Sequence, residues 1–183
     1  MGIEIVEFDR MHGHTVFDGN SECRYSMLRV WNPKKSKATI IMYNPRTLNP
    51  NPFILGQSLN RCARGVVEDG DYGAMEVVNL FSKTSNKAKE LDEKYRVFDE
   101  VNFKYIKEAV ESSSLVVLAW GKDGGSPVSR SKKFIKLLSN FDGKLKCFRI
   151  CDNKQPKYPS GLSADEKLKD CYIDFRGSLH FLD

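Results

Sequence analysis

The chain has 183 residues, of which 40% are hydrophobic and 29% are charged. This is the composition of an ordinary globular protein, and because domains run to roughly 100–200 residues we predict a single domain over residues 1–183. No apolar run approaches the ~20 residues of a membrane span, so no membrane partner is expected. The acidic residues that follow Met1 do not fit a signal peptide, which favours a cytoplasmic protein. The formal net charge of +5 is compatible with a polyanionic partner.

The cysteine and histidine patterns argue against a disulfide framework and against a metal site. The nearest cysteine pair, Cys147 and Cys151, lacks the C-x-x-C spacing of zinc and iron–sulfur sites. His12 and His14 are close in the chain, but only His180 remains to complete a histidine site. Because the cysteines are odd in number and widely spaced, we expect reduced thiols, no metal and no cofactor.

The first half of the chain is predicted to begin with strands. Residues 3–8 are predicted to form a short edge strand, with a turn after it that contains His12 and His14. Residues 24–31 alternate in hydrophobicity, as a half-buried strand does, and an Asn-Pro step ends them. Few residues separate this strand from the apolar run at 39–43, so we expect the two to pair antiparallel.

Helices and further strands alternate along the rest of the chain. Three segments have apolar residues at helical spacing, and three others are short apolar runs typical of buried strands. The predicted helices span residues 57–68, 98–112 and 131–140, and the predicted strands span residues 75–81, 115–120 and 144–151. A short helix at 165–170 and an edge strand after Tyr172 complete the prediction.

This alternation predicts an α/β fold, a three-layer α/β/α sandwich with a mostly parallel central sheet. In such folds the carboxyl ends of the parallel strands lie along one rim, where ligands bind. The segments that follow four of the predicted strands are rich in polar residues, glycine and basic charge. They are residues 44–47, 79–82, 121–124 and 157–162.

Asn44 is the first functional candidate because it follows the short apolar strand at 39–43 directly. The alternative is that Asn44 only caps a turn before Pro45. Basic residues also gather in the loops after later strands, where they are placed to bind phosphates or, alternatively, serve only as solvated surface charges. These basic residues are Lys122, Arg130, Lys132, Lys133, Lys154 and Lys157.

Five short motifs occur in a specific order along the chain. They are an Asn-Pro-x-Thr loop, an Arg-Cys pair on a helix, a Val-Val-Asn-Leu-Phe strand, a Trp-Gly strand end and a Pro-rich loop, at residues 44–47, 61–62, 77–81, 120–121 and 155–159. By this order the chain, from about Cys23 to Leu162, resembles the bacterial and phage family called DUF1643. Two departures from the family pattern are Arg46, where the family usually has Ser, and residues 53–58, which replace an Asp-Pro-Thr run.

A more distant resemblance is to the uracil-DNA glycosylase superfamily, above all its mismatch-specific branch. That branch has an Asn-Pro-Gly loop after its first core strand and an Asn-Pro-Ser-Gly-Leu-Ser loop late in the chain. The matching segments are residues 43–45 and 158–163, and Asn79 occupies the place of a base-reading Asn in other branches. The resemblance implies a uracil-DNA-glycosylase-like fold and a protein that recognises a nucleobase in DNA and hydrolyses the N-glycosidic bond of a damaged or modified base.

The resemblance also implies residue roles, which glycosylase chemistry makes intelligible. Asn44 would hold the attacking water as the catalytic residue, and the amide of Asn79 would pair with the edge of the flipped base. Phe53 or Tyr43 would stack on that base, although Phe53 is equally expected to be a packing anchor and Asn79 to satisfy strand-end backbone groups.

The remaining implied roles are contacts to DNA. The backbone at Ser160 and Gly161 would approach phosphates, and Leu162 would wedge into the vacated stack unless it belongs to the core. The full set of implied DNA-binding residues is Arg46, Lys122, Arg130, Lys132, Lys157, Tyr158, Ser160, Gly161 and Leu162.

Two alternatives to a glycosylase stay open from the sequence. The first is a non-catalytic module of a phage or bacterial conflict system that binds nucleic acid or nucleotides. The second is an interaction protein in which the rim residues have no ligand. An NTPase has little support, because the glycines of residues 121–125 do not form a Walker A motif.

Overall fold

The computed structural model describes residues 11–46, 55–85, 90–141, 143–163 and 165–182. Within these ranges the chain forms eight strands and four α-helices. The strands are β1 (His12–Phe17), β2 (Arg24–Val30), β3 (Ser36–Met42), β4 (Tyr72–Asn79), β5 (Leu115–Leu118), β6 (Leu145–Cys147), β7 (Lys169–Ile173) and β8 (Leu179–Phe181). The helices are α1 (Gln57–Asp69), α2 (Glu100–Glu111), α3 (Gly125–Arg130) and α4 (Lys132–Ser139).

All eight described strands form one mixed sheet in the order β1-β2-β4-β3-β5-β6-β7-β8. The four central strands, β4, β3, β5 and β6, run parallel to one another. The two strands on each side of them pair antiparallel. The prediction of a mostly parallel three-layer sandwich is therefore wrong, because hairpins and antiparallel edge strands extend a parallel core of only four strands on both sides.

The predicted antiparallel pairing of β2 with β3 is also wrong. Strand β4 lies between them, pairing antiparallel with β2 and parallel with β3. The backbone N–H groups of Trp31 and Asn32 both donate to the carbonyl of Gly73, at distances of 2.9 Å. These hydrogen bonds hold the segment after β2 against the beginning of β4. The chain then crosses β4, and β3 begins on its other side.

Apolar side chains cover both faces of the sheet. On one face Ile40, Met42 and Val77 pack with Leu59, Cys62 and Val66 of α1. On the other face Ile41, Val78 and Val116 pack with side chains of α2, α3 and α4. Residues next to each other in a strand point to opposite faces, which explains why the buried parts of the central strands are largely apolar.

Several local predictions differ from the structure. Residues 12–14, predicted as a turn, begin β1, and residues 125–130, predicted as a loop, form the short helix α3. The helix predicted at 165–170 is wrong, because Lys169 already begins β7 and pairs with β6. The strand predicted at residues 3–8 lies outside the described residues. The three longer amphipathic helices are confirmed to within a few residues.

Among the described helices, none combines the length and the apolar character that crossing a bilayer requires.

We expect Gly73→Ala to destabilise the fold, because an added Cβ would lie 1.9 Å from the carbonyl oxygen of Asn32. That contact forces a backbone shift where β2 passes β4, and we expect the free energy of unfolding to fall by about 2 kcal/mol or more. Urea denaturation followed by circular dichroism measures the change. Gly19→Ala, where nothing lies within 4 Å of the added atom, is the matched control, and equal stability of both variants would contradict this account.

Candidate functional site

The carboxyl ends of β3, β5 and β6 open into one cavity, which we call the central cavity. Its volume is about 400 Å³. The segments that line it follow those three strands, as the fold requires of a ligand site in a parallel sheet. The lining residues are Tyr43, Asn44, Arg46, Trp120, Gly121, Lys122, Asp123, Cys151, Lys157, Tyr158, Ser160 and Gly161.

Asn44 lies in the wall of the central cavity and is fixed by two hydrogen bonds. Its side-chain Nδ2 donates to the carbonyl of Pro45 at 3.0 Å and to the carbonyl of Ser85 at 2.9 Å. Both amide hydrogens are used, so the orientation of the amide is determined and its Oδ1 is left as an acceptor. The turn itself is held to the end of β4, where Phe81 donates its N–H to the carbonyl of Tyr43.

Three aromatic side chains contribute to the central cavity. Tyr43 and Trp120 are almost fully buried, and the indole Nε1 of Trp120 donates to Gln155 at 3.0 Å. Burial raises the pKa of Tyr43, which keeps its phenol protonated. Tyr158 is only half-buried, and it packs beside Gly121, whose φ of +85° favours glycine and where an added Cβ would lie 3.1 Å from Cβ of Tyr158.

The central cavity carries an excess of positive charge. Three cationic side chains, Arg46, Lys122 and Lys157, line it against one carboxylate, Asp123. The turn Pro159–Gly161 closes the cavity on the side of α1, and Ser160 and Gly161 are exposed there. A polar wall with this charge suits an anionic ligand better than a neutral one.

The structure gathers most of the sequence-predicted site residues around the central cavity, whereas Arg130, Lys132, Leu162 and Asn79 lie elsewhere. Arg130 lines a second cavity of about 610 Å³, which shares Tyr43 and Asp123 with the central cavity. Lys132 is exposed at the start of α4. Leu162 is half-buried and packs against the core beneath α1. Phe53 lies outside the described residues.

Asn79, predicted to read a base, does not line the central cavity. It is 1% exposed at the end of β4. Its Oδ1 accepts a hydrogen bond from Nη2 of Arg24 at 3.0 Å. The backbone carbonyl of Asn79 accepts another from Asn102 on α2. The acceptor that would read a base is therefore already used by Arg24.

Arg24 is the residue that the sequence analysis missed. Its side chain is 3% exposed, and burial, together with the charge of Arg29, lowers its pKa to about 10, whereas Tyr158 acts in the opposite direction. Strand β1 pairs with Arg24 and with Ser26 of β2 but not with Tyr25, so β2 has a bulge at Tyr25. Because simple alternation fails at a bulge, the sequence pattern gave no signal that Arg24 points inward.

The Arg-Cys pair of α1 is structural in character. Arg61 lies over the ring of Phe148, at 4.7 Å from its centroid, and donates to the backbone carbonyl of Glu166. Cys62 is fully buried, which raises the pKa of its thiol to about 12. A thiol with that pKa is protonated at neutral pH and is a poor nucleophile.

Among the residues that the structure describes, no three His, Cys, Asp or Glu side chains are grouped to hold a metal ion.

We expect Arg24→Met to stabilise the ligand-free protein by about 1 to 2 kcal/mol, because replacing a buried, uncompensated charge by an apolar side chain removes its desolvation cost. Since burial lowers the pKa of Arg24 to about 10, the charged form is disfavoured in the folded chain. This cost is fully present below pH 10 and fades only as the pH rises from there toward the ordinary pKa of arginine. Urea denaturation at pH 7 measures it, and a variant less stable than the parent would show that Arg24 supports the fold.

Comparisons with known proteins come from a family model, curated proteins and solved structures. No curated protein matches the chain. No solved structure matches it either, so the resemblance to the uracil-DNA glycosylase superfamily is without support. The family model described as "Protein of unknown function (DUF1643)" matches residues 24–160, a range that contains strands β2 to β6 and nearly all of the central cavity. Because this match covers more than half of the 183 residues, the chain belongs to the DUF1643 family.

Proposed function

We propose that the central cavity binds a nucleobase together with a neighbouring phosphate, from DNA or from a nucleotide. The observation that carries the proposal is the combination of aromatic rings and cationic side chains around one cavity of about 400 Å³. Small-molecule sites have volumes of about 300–1,000 Å³, so the cavity is large enough for one base and its sugar.

Tyr158 is the side chain best placed to stack on a base. It lines the central cavity and is half-buried, so part of its ring is accessible, whereas Tyr43 and Trp120 are buried at its wall. Stacking on an aromatic ring contributes about 1–3 kcal/mol per base and tolerates any base. This contact supports binding, and base selectivity would come from polar atoms of the wall such as Asn44.

The cationic residues support a phosphate close to the base. Arg46, Lys122 and Lys157 lie around the same cavity, and Asp123, the one carboxylate among the described lining residues, offsets only part of their charge. Lysine and arginine contacts to phosphate provide affinity that does not depend on sequence and falls with salt.

One observation favours hydrolysis as a second candidate function. The amide hydrogens of Asn44 are held by the carbonyls of Pro45 and Ser85, which leaves Oδ1 to accept a hydrogen bond. A water on this oxygen would lie beside the sugar of a bound nucleotide, where it attacks the anomeric carbon as the base departs. Asn44 orients the water in this scheme and carries no charge.

We expect Tyr158→Ala to weaken nucleotide binding about 5- to 150-fold, which corresponds to the loss of one stacking contact. Fluorescence anisotropy with labelled single-stranded oligonucleotides and titration with nucleotides measure the affinity at several salt concentrations. Tyr172→Ala, on β7 and stacked on His180 away from the cavity, is the matched control and should bind as the parent does. Equal affinity of both variants would rule out stacking by Tyr158.

Incubation with oligonucleotides that contain uracil, hypoxanthine or modified pyrimidines tests hydrolysis. We expect release of one of these bases, and loss of that release in Asn44→Ala with binding retained, because the variant lacks the oxygen that holds the water; it also lacks the Nδ2 that donates to the carbonyls of Pro45 and Ser85. Asn60→Ala, an exposed position on α1, is the control. If the protein binds these oligonucleotides but releases no base, hydrolysis is ruled out and the proposal of a binding protein remains.

A further inference from the structure

A group of buried hydrogen-bond donors lies beside the central cavity. Nε and Nη1 of Arg24, Nε of Arg29 and Nδ2 of Asn79 are buried and have no acceptor among the described residues. All are N–H donors, and the residues that carry them are 3%, 7% and 1% exposed. Buried donors are almost always paired, because an unpaired one costs about 1–3 kcal/mol. Several together indicate that a missing group accepts from them.

The fold places these three residues on one side of the sheet. The bulge at Tyr25 sends that ring to α2, where it stacks on Tyr105 at 5.1 Å, while Met27 packs toward α1. Arg24 therefore shares the face of Met27 and reaches Asn79, to which it donates at 3.0 Å. Arg29 is close enough for its charge to lower the pKa of Arg24.

The two guanidinium groups have no anionic partner among the described residues. No described Asp or Glu forms an ion pair with Arg24 or Arg29, and burial lowers the pKa of both. Within the described part of the chain, the side chain of Arg29 donates one hydrogen bond, from Nη1 to the neighbouring carbonyl of Leu28. Two buried cations with spare donors match the oxygens of a tetrahedral oxyanion, which accepts several N–H bonds at once.

Tyr158 connects this group to the central cavity. It lines the cavity, and it is also close enough to influence the charge of Arg24. Tyr158 is thus a neighbour of both the cavity and Arg24, whereas neither of the arginines is among the residues that line the cavity.

We propose that Arg24, Arg29 and Asn79 form a buried site for a phosphate group, either inorganic phosphate or the terminal phosphate of a nucleotide. Asn79 positions Arg24 through its Oδ1 and donates to the phosphate through Nδ2. The claim that the phosphate belongs to a nucleotide rests on the proposed function, whereas the phosphate site itself does not.

Thermal unfolding of the whole chain with inorganic phosphate tests the site. About 10 mM phosphate should raise the Tm by about 3 to 5 °C over sodium chloride of equal ionic strength, because a ligand that binds only the folded state stabilises it. Arg24→Met should lose this rise. Arg176→Met, the same change at an exposed turn, should keep it. No rise in the parent, or an equal rise in Arg24→Met, would overturn the proposal.

Arg29→Met keeps the test decisive if Arg24→Met does not fold, and it should reduce the phosphate-induced rise in Tm at least by half.

A comparison of a nucleoside, its 5′-monophosphate and inorganic phosphate distinguishes a nucleotide ligand from free phosphate. A monophosphate that stabilises the parent more than phosphate does, with the excess lost in Arg24→Met, supports a nucleotide. Stabilisation by phosphate alone, with no effect of either nucleoside compound, supports the site and contradicts the proposed function. If a nucleoside binds but phosphate does not change the Tm, the phosphate site is contradicted and the proposed function is not.

Discussion

The arrangement of the molecule depends on the parallel pairing of β3 with a strand on each side. Residues 38–41 of β3 pair with β4 and β5 at once, and Ile40 and Ile41 are fully buried on opposite faces. This pairing fixes where β3 ends and brings the turn at Asn44 between the ends of its neighbours. The central cavity exists because three parallel strands stop at one edge while their loops turn outward.

The antiparallel strand β2 brings an arginine to the edge of the parallel core. Strand β2 runs back along β4, so its first residue, Arg24, lies at the same edge as the end of β4, where its N–H donates to the carbonyl of Ser82. A guanidinium is thereby buried next to Asn79 without a carboxylate partner. A buried charge of this kind lowers stability, and proteins retain such groups at functional sites, where strain and charge serve a ligand.

The sequence located much of the cavity because polar residues after apolar strands are an informative pattern. Tyr43, Asn44, Lys122, Lys157 and Tyr158 each follow a strand of the parallel core, and their meeting depends only on strand direction. Asn79 is the last residue of such a strand, β4, and its side chain points toward Arg24. Local sequence does not reveal this direction, because contacts with a strand distant in the chain decide it.

The amino-acid sequence by itself determined the family, the three longer helices and the central strands, because periodicity and motif order are local properties of the chain. Only the tertiary structure decided that β4 lies between β2 and β3, that a bulge turns Arg24 inward, and that the sheet is mixed. Strand order and strand direction depend on pairing between segments far apart in the chain. The hydrophobic pattern of a fully buried strand is the same whichever neighbour it has.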